Sequence, residues 1–93
     1  LCGEEIKVQV EIWDASGKKL YSTKEGEKGP LVFTPGKSQV FLGLEQGVIG
    51  MKRGENRTII VPPSFQNTLR KEKPELEIPL PENQTVIVDV EFV

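Results

Sequence analysis

The chain has no histidine among its 93 residues and a single cysteine. The missing histidine excludes Ser-His-Asp and Cys-His catalysis, the usual proton shuttle at neutral pH, and most zinc sites. One cysteine excludes an intrachain disulfide and a cysteine metal cluster. Charge of one sign is also lacking: 12 Lys and Arg stand against 14 Asp and Glu, a net charge of −2. A nucleic-acid binder would show a basic stripe, and none is present. No apolar run approaches the ~20 residues of a membrane-spanning helix. The acids at Glu4-Glu5 and at Asp89 and Glu91 lack metal-ligand spacing, and no cofactor is implied.

What is present is 37% hydrophobic and 28% charged residues, the ordinary composition of a soluble globular domain. Residues 1–93 read as one small domain with no internal repeat, residues 1–5 being disordered or close to an anchor. Chains of this size bury only somewhat over ~60% of their unfolded surface, so the core is expected to be thin. Cys2 leaves two readings open. It is either a lipid-attachment cysteine exposed by signal-peptide cleavage, placing the chain outside the cytoplasm, or an incidental thiol on a terminus.

Alternation of apolar Ile6, Val8, Val10 and Ile12 with polar neighbours predicts a strand over 6–13 with one buried face. Turn chemistry at Asp14-Ala15-Ser16-Gly17 then returns the chain as a second strand over 18–23. A polar connection leads to a brief strand over 31–33, closed by a Pro35-Gly36 turn. Val40, Leu44, Val48 and Met51 form a stripe of helical period and predict a helix over 40–51. Gly43, Gly47 and Gly50 are each about 1 kcal/mol worse there than alanine, so tertiary packing must hold the helix. The spacing of Gly43 and Gly47, one turn apart, suits close approach to a neighbouring backbone. Strands over 56–61 and 85–93 flank a loop over 64–81 that is rich in proline and charge. Trp13 ends the first strand on its polar face, as a cap on the sheet edge or a partner anchor. Phe65 and Leu69 either tuck under the loop or project as peptide anchors. Together these elements predict an α+β fold, an antiparallel sheet with one short helix on its dry side.

The same order of elements resembles the FKBP family of peptidyl-prolyl cis-trans isomerases. Gly17-Lys18-Lys19-Leu20-Tyr21-Ser22-Thr23 is similar to the family's first hairpin, "DG…FDSS". Pro30-Leu31-Val32-Phe33 with Gly36-Lys37-Ser38-Gln39-Val40-Phe41 is similar to "PFxFxLGxxxVI". Gly43 to Met51 matches "GWEEGVxxM", and TVIVDVEFV at the end is close to "TLVFDVELL". The resemblance covers nearly the whole chain from Val8 onward. It implies an FKBP-like antiparallel sheet wrapped around one short α-helix. The stretch between Pro63 and Thr85 is too short for the second domain of the SlyD type.

In that family an apolar, aromatic-lined pocket isomerises prolyl amides without acid, base or metal. The resemblance places pocket positions at Val10, Leu20, Tyr21, Leu31, Val40, Phe41, Leu44, Asn67 and Val88. Most of the family's rings are absent there. Val10 and Asn67 replace tyrosines, Leu20, Leu31 and Val88 replace phenylalanines, and Leu44 replaces the tryptophan of the pocket floor. Tyr21 stands where the family has an aspartate. Val40 and Phe41 keep the apolar "VI" pair, and the Phe41 amide retains the position of a carbonyl donor. The expectation is a degenerate pocket that binds a proline-containing segment or a partner protein with weak or no isomerase activity. The alternative is an active isomerase acting in folding, since the compact SlyD-like branch also reads "GLE" at the floor and is active.

Overall fold

The structure, a computed structural model, describes residues 4–24, 29–37, 39–67, 78 and 80–93. Strand β1 (Ile6–Asp14) pairs antiparallel with β5 (Val86–Phe92) over most of its length, Val8 facing Phe92 and Ile12 facing Val88. β4 (Asn56–Val61) lies on the far side of β5, and β2 (Lys19–Ser22) on the other side of β1. β3 (Leu31–Phe33) pairs with the first part of β1, Ile6 facing Phe33 and Val8 facing Leu31. β2 and β3 therefore follow one another along the same edge of β1.

This register sorts side chains by face, because directly opposed residues in an antiparallel pair point the same way. Ile6, Val8, Val10, Ile12, Val86, Val88, Val90 and Phe92 are all buried on the inner face. The outer face carries Glu11 and Glu91, which meet Lys19 and Lys24 at 3.1–3.9 Å. Trp13 is on this face, opposite Ile87, with the Lys19 ammonium 5.8 Å from its ring centroid. β1 is an interior strand, so Trp13 covers the outer face and does not cap the sheet edge.

Helix α1 spans Leu42–Gly47, shorter at both ends than the expected 40–51. All four residues of the stripe are buried, so the apolar pattern is real. Its ends are not helical, however. Phe41 is extended, with ψ at 150°, and Val48 to Gly50 form a turn in which Gly50 reaches φ +79°, a value costly for any residue with a Cβ. The flanking residues reach the same core from a bend and a turn. Arg57 satisfies the end of the helix, donating to the Gly47 and Ile49 carbonyls at 2.9 and 2.8 Å. Among the described residues no helix is long and apolar enough to cross a membrane.

The helix lies along β4, and its glycines set the distance. A Cβ on Gly43 would sit 2.6 Å from Val61 Cγ1 and 3.3 Å from the Phe65 carbonyl. A Cβ on Gly47 would meet the Ile59 side chain, most closely its terminal Cδ1, with Cγ1 at 3.0 Å. The approach is thus to β4 side chains more than to its backbone. Val61 is branched and almost fully buried, so it cannot yield. Gly43→Ala is expected to destabilise by about 1–3 kcal/mol through overpacking, despite alanine's helix propensity. Gly47→Ala is expected within about 1 kcal/mol of neutral, because propensity and a rotamer change at Ile59 oppose each other. Equal losses in urea titrations would contradict this account.

The β1–β2 turn is held by Asp14, whose Oδ1 accepts from the Ser16 N–H, the Ser16 hydroxyl and the Lys18 N–H at 2.7–2.9 Å. The Ser16 hydroxyl, followed by the Lys18 amide, holds the Asp14 carboxyl below its ordinary value of 3.8. A depressed folded-state pKa means that the ionised form favours folding. The contribution is present above the unfolded value and is lost as pH falls through the folded one. Asp14→Asn is therefore expected to flatten the acid limb of thermal stability between about pH 5 and pH 2. An unchanged limb would show that the turn contributes nothing to it.

Candidate functional site

Eight of the nine residues singled out from the sequence come together. Val10, Leu31, Val40, Phe41, Leu44 and Val88 belong to one buried cluster, with Leu20 and Tyr21 partly buried against it. The sheet supplies a row across its inner face: Tyr21 faces Ile12, Ile12 faces Val88, and Val88 faces Ile59. Val10 occupies the next inner-facing position of β1, and Leu31 faces Val8 one step further on. The helix and its N-terminal bend add Val40, Phe41 and Leu44, each at most 2% exposed.

Leu20 and Tyr21 are adjacent yet both pack against the core. Pairing of β1 with β2 slips between Ile12 and Trp13, so Leu20 is the extra residue of a bulge. A bulge redirects side chains that a regular strand would place on opposite faces. Burial pushes the Tyr21 phenol above its ordinary value of 10.0.

Asn67 stays apart, exposed at the end of the 63–67 segment. Its backbone carbonyl accepts from the Leu42 N–H at 2.9 Å, tying this segment to the first turn of α1. Its surroundings are a polar groove of about 390 Å³ shared with Gln66 and Leu80. Phe65 tucks against the core, whereas Leu69 and the charged run 70–73 lie outside the described residues, as does Cys2.

Several polar side chains that position this cluster were not apparent from the sequence. Glu45 is 7% exposed, and its Oε2 accepts from the Gly36 N–H at 2.7 Å while Oε1 has no partner. Gln39 Oε1 accepts from the Thr34 N–H at 3.0 Å. Between them they pin the bend that carries Val40 and Phe41 into the core. Buried Thr23 accepts from the Val10 N–H at 2.8 Å and donates to Gln9 Oε1 at 2.6 Å, extending the β1–β2 pairing past the end of β2. A charged residue inside a helical apolar stripe reads as exposed, and only the fold of the 34–36 turn over Glu45 reverses that.

The site holds an apolar wall, a phenol and backbone dipoles, but no charged group inside the row. Among the described residues the Phe41 N–H has no acceptor, while the Phe41 carbonyl accepts from Leu44 and Glu45. Val10, Val40, Phe41, Leu44 and Val88 are themselves at most 2% exposed, so they form packed core beneath the partly buried Leu20 and Tyr21. A separate cavity of about 500 Å³ opens at another end of the core, and none of the nine residues lines it.

Comparison with known proteins gives a consistent picture. The sequence model described as FKBP-type peptidyl-prolyl cis-trans isomerase matches residues 2–93. The short-type peptidyl-prolyl cis-trans isomerase of Methanocaldococcus jannaschii is 35% identical over 77 residues, covering 83% of this chain and 48% of that one. FK506-binding protein 1A of Neurospora crassa is 34% identical over 92 residues, covering 98% of this chain and 72% of the relative. The match thus spans about half of the archaeal relative's length. The crystal structure of AtFKBP13 superposes with a TM-score of 0.79 at 23% identity, covering 99% of this chain and 78% of that chain. FkpA from Escherichia coli gives 0.72 at 21%, covering 96% of this chain and 38% of that chain. At those identities the two structures speak for the fold alone.

Proposed function

The chain belongs to the FKBP-type peptidyl-prolyl cis-trans isomerase family, and from that premise we propose that it is a peptide- or protein-binding domain with weak or no isomerase activity. The ligand class is an extended, proline-containing segment of a partner protein. The observation that carries the reading is the composition of the row between sheet and helix. Val10, Leu31, Leu44 and Val88 are buried aliphatic residues at positions where the family has rings. Tyr21, where the family has an aspartate, lies on the same face as Ile12 and Val88.

Rotation about a prolyl bond meets a barrier of about 18–20 kcal/mol. A dry, ring-lined pocket lowers it by favouring the twisted amide, which has lost its charge separation. Each ring removed takes with it about 150–250 Å² of contact surface. A phenol, moreover, cannot act as the anionic acceptor that the aspartate provides. Binding survives such losses better than rate does, because rate depends on interactions stronger in the twisted state than in the planar one.

The test is a proline-peptide isomerisation assay run beside a binding titration of the same peptide. We expect kcat/KM at least about 100-fold below that of an ordinary family member, a deficit of about 2.7 kcal/mol, together with saturable binding. A comparable kcat/KM overturns the proposal. That outcome would favour the second reading, an active isomerase in protein folding. The Phe41 N–H, which has no acceptor among the described residues, and the isomerase name of the archaeal relative support that reading.

A further inference from the structure

The cavity of about 500 Å³ is bordered by the start of β1, the end of β5 and the connection from α1 to β4. Its walls are buried Ile6, Val48, Met51 and Phe92, and among the described residues its lining includes two cations, Lys52 and Arg53, and no acid. A volume of this size is in the range of small-molecule sites, about 300–1,000 Å³. Both cations are exposed, whereas the four apolar wall residues are at most 7% exposed. Among the described residues neither forms an ion pair. The nearest carboxylate on the same connection, Glu55, is turned to Arg57 at 2.9 Å and to the Lys52 N–H at 3.1 Å. Arg53 also borders the adjoining groove, whose lining carries the acids Glu4 and Glu5 and a further cation, Lys7.

Buried apolar walls lined also by two exposed cations suit a ligand that has a greasy body and one anionic end. We propose that this cavity binds a small amphipathic carboxylate, its chain on Ile6, Val48, Met51 and Phe92 and its head group against Lys52 and Arg53. The site is separate from the row between sheet and helix and does not depend on the function proposed for that row. An uncharged chain would gain the apolar burial alone. A short carboxylate such as acetate would gain only the exposed charge contact, which salt screens.

The probe is decanoate, titrated below its micelle-forming concentration into the isotope-labelled chain and followed by NMR. Saturable shifts are expected at Ile6, Gly50, Met51 and Phe92, with Tyr21, Leu44 and Val88 unmoved. Decanol and acetate are each expected to bind at least tenfold more weakly. The double substitution Lys52→Glu with Arg53→Glu, at exposed positions, is expected to weaken decanoate at least tenfold without lowering Tm by more than a few degrees. The proposal is overturned if no saturable shift occurs, if decanol matches decanoate, or if the shifts centre on Tyr21 and Val88.

Discussion

Phe33→Ala is expected to lower the free energy of unfolding by about 3–5 kcal/mol, as measured by urea denaturation. Phe33 is fully buried and is among the largest of the wholly buried side chains. It belongs to a strand of only three residues whose register with β1 runs through Ile6, Lys7 and Val8. A longer strand would keep its backbone pairing after such a loss. β3 has little beyond its two inward side chains to hold it, so the cavity and the loosened strand add. Stabilities of small domains lie at about 5–15 kcal/mol, which makes this loss a large part of the whole. Val32, on the other face and half-buried, is the control; Val32→Ala should cost no more than about 1 kcal/mol. Losses of similar size at both positions would mean that β3 is held by backbone pairing and that its ring is dispensable.

Restoring two wall residues together, Leu20→Phe with Tyr21→Asp, is expected to raise kcat/KM for a proline peptide at least tenfold, equivalent to about 1.4 kcal/mol of the barrier. Both residues sit at the bulge where β2 leaves its regular register with β1, and both are only partly buried. A larger ring at Leu20 can therefore be accommodated there. At Leu44, which is 0% exposed, a ring would overpack. The aspartate would supply the anionic acceptor that the phenol cannot. If the doubly substituted chain folds and its rate is unchanged, the residues at the bulge do not limit turnover.

Much of this architecture was legible before any coordinates, and the reason is periodicity. Strict alternation in residues 6–12 and 86–92 has one physical explanation, a sheet with one wet face, and both strands formed as expected. The helix is less legible. Val40, Val48 and Met51 share the helical stripe because they share the core, but the backbone under them bends or turns. Burial pattern reports which way a side chain faces; it does not report the hydrogen bonding beneath it. The slip in β2 register had no signature, since an inserted residue leaves composition and hydropathy unchanged. Nor could the sequence place the second cavity, which forms where distant residues such as Ile6, Met51 and Phe92 meet. The nine pocket positions came from resemblance, and the fold explains why eight of them cluster: they fall on the inner sheet face or on the helix that covers it.

The central pairing of the sheet has a consequence for how the protein is made. β1 and β5 adjoin in space, Val8 facing Phe92, yet 71 residues of chain, Ala15 to Thr85, lie between them. At about 5–20 residues per second, a ribosome delivers β5 several seconds after β1. During that interval the apolar face of β1 has only the short β2 and β3 beside it, and β4 has no strand to pair with, since its neighbour in the sheet is β5. Contacts that close so long a loop are the slowest to form. Until β5 is made, Val8, Val10 and Ile12 lack their longest sheet partner, and completion of the sheet waits on that strand.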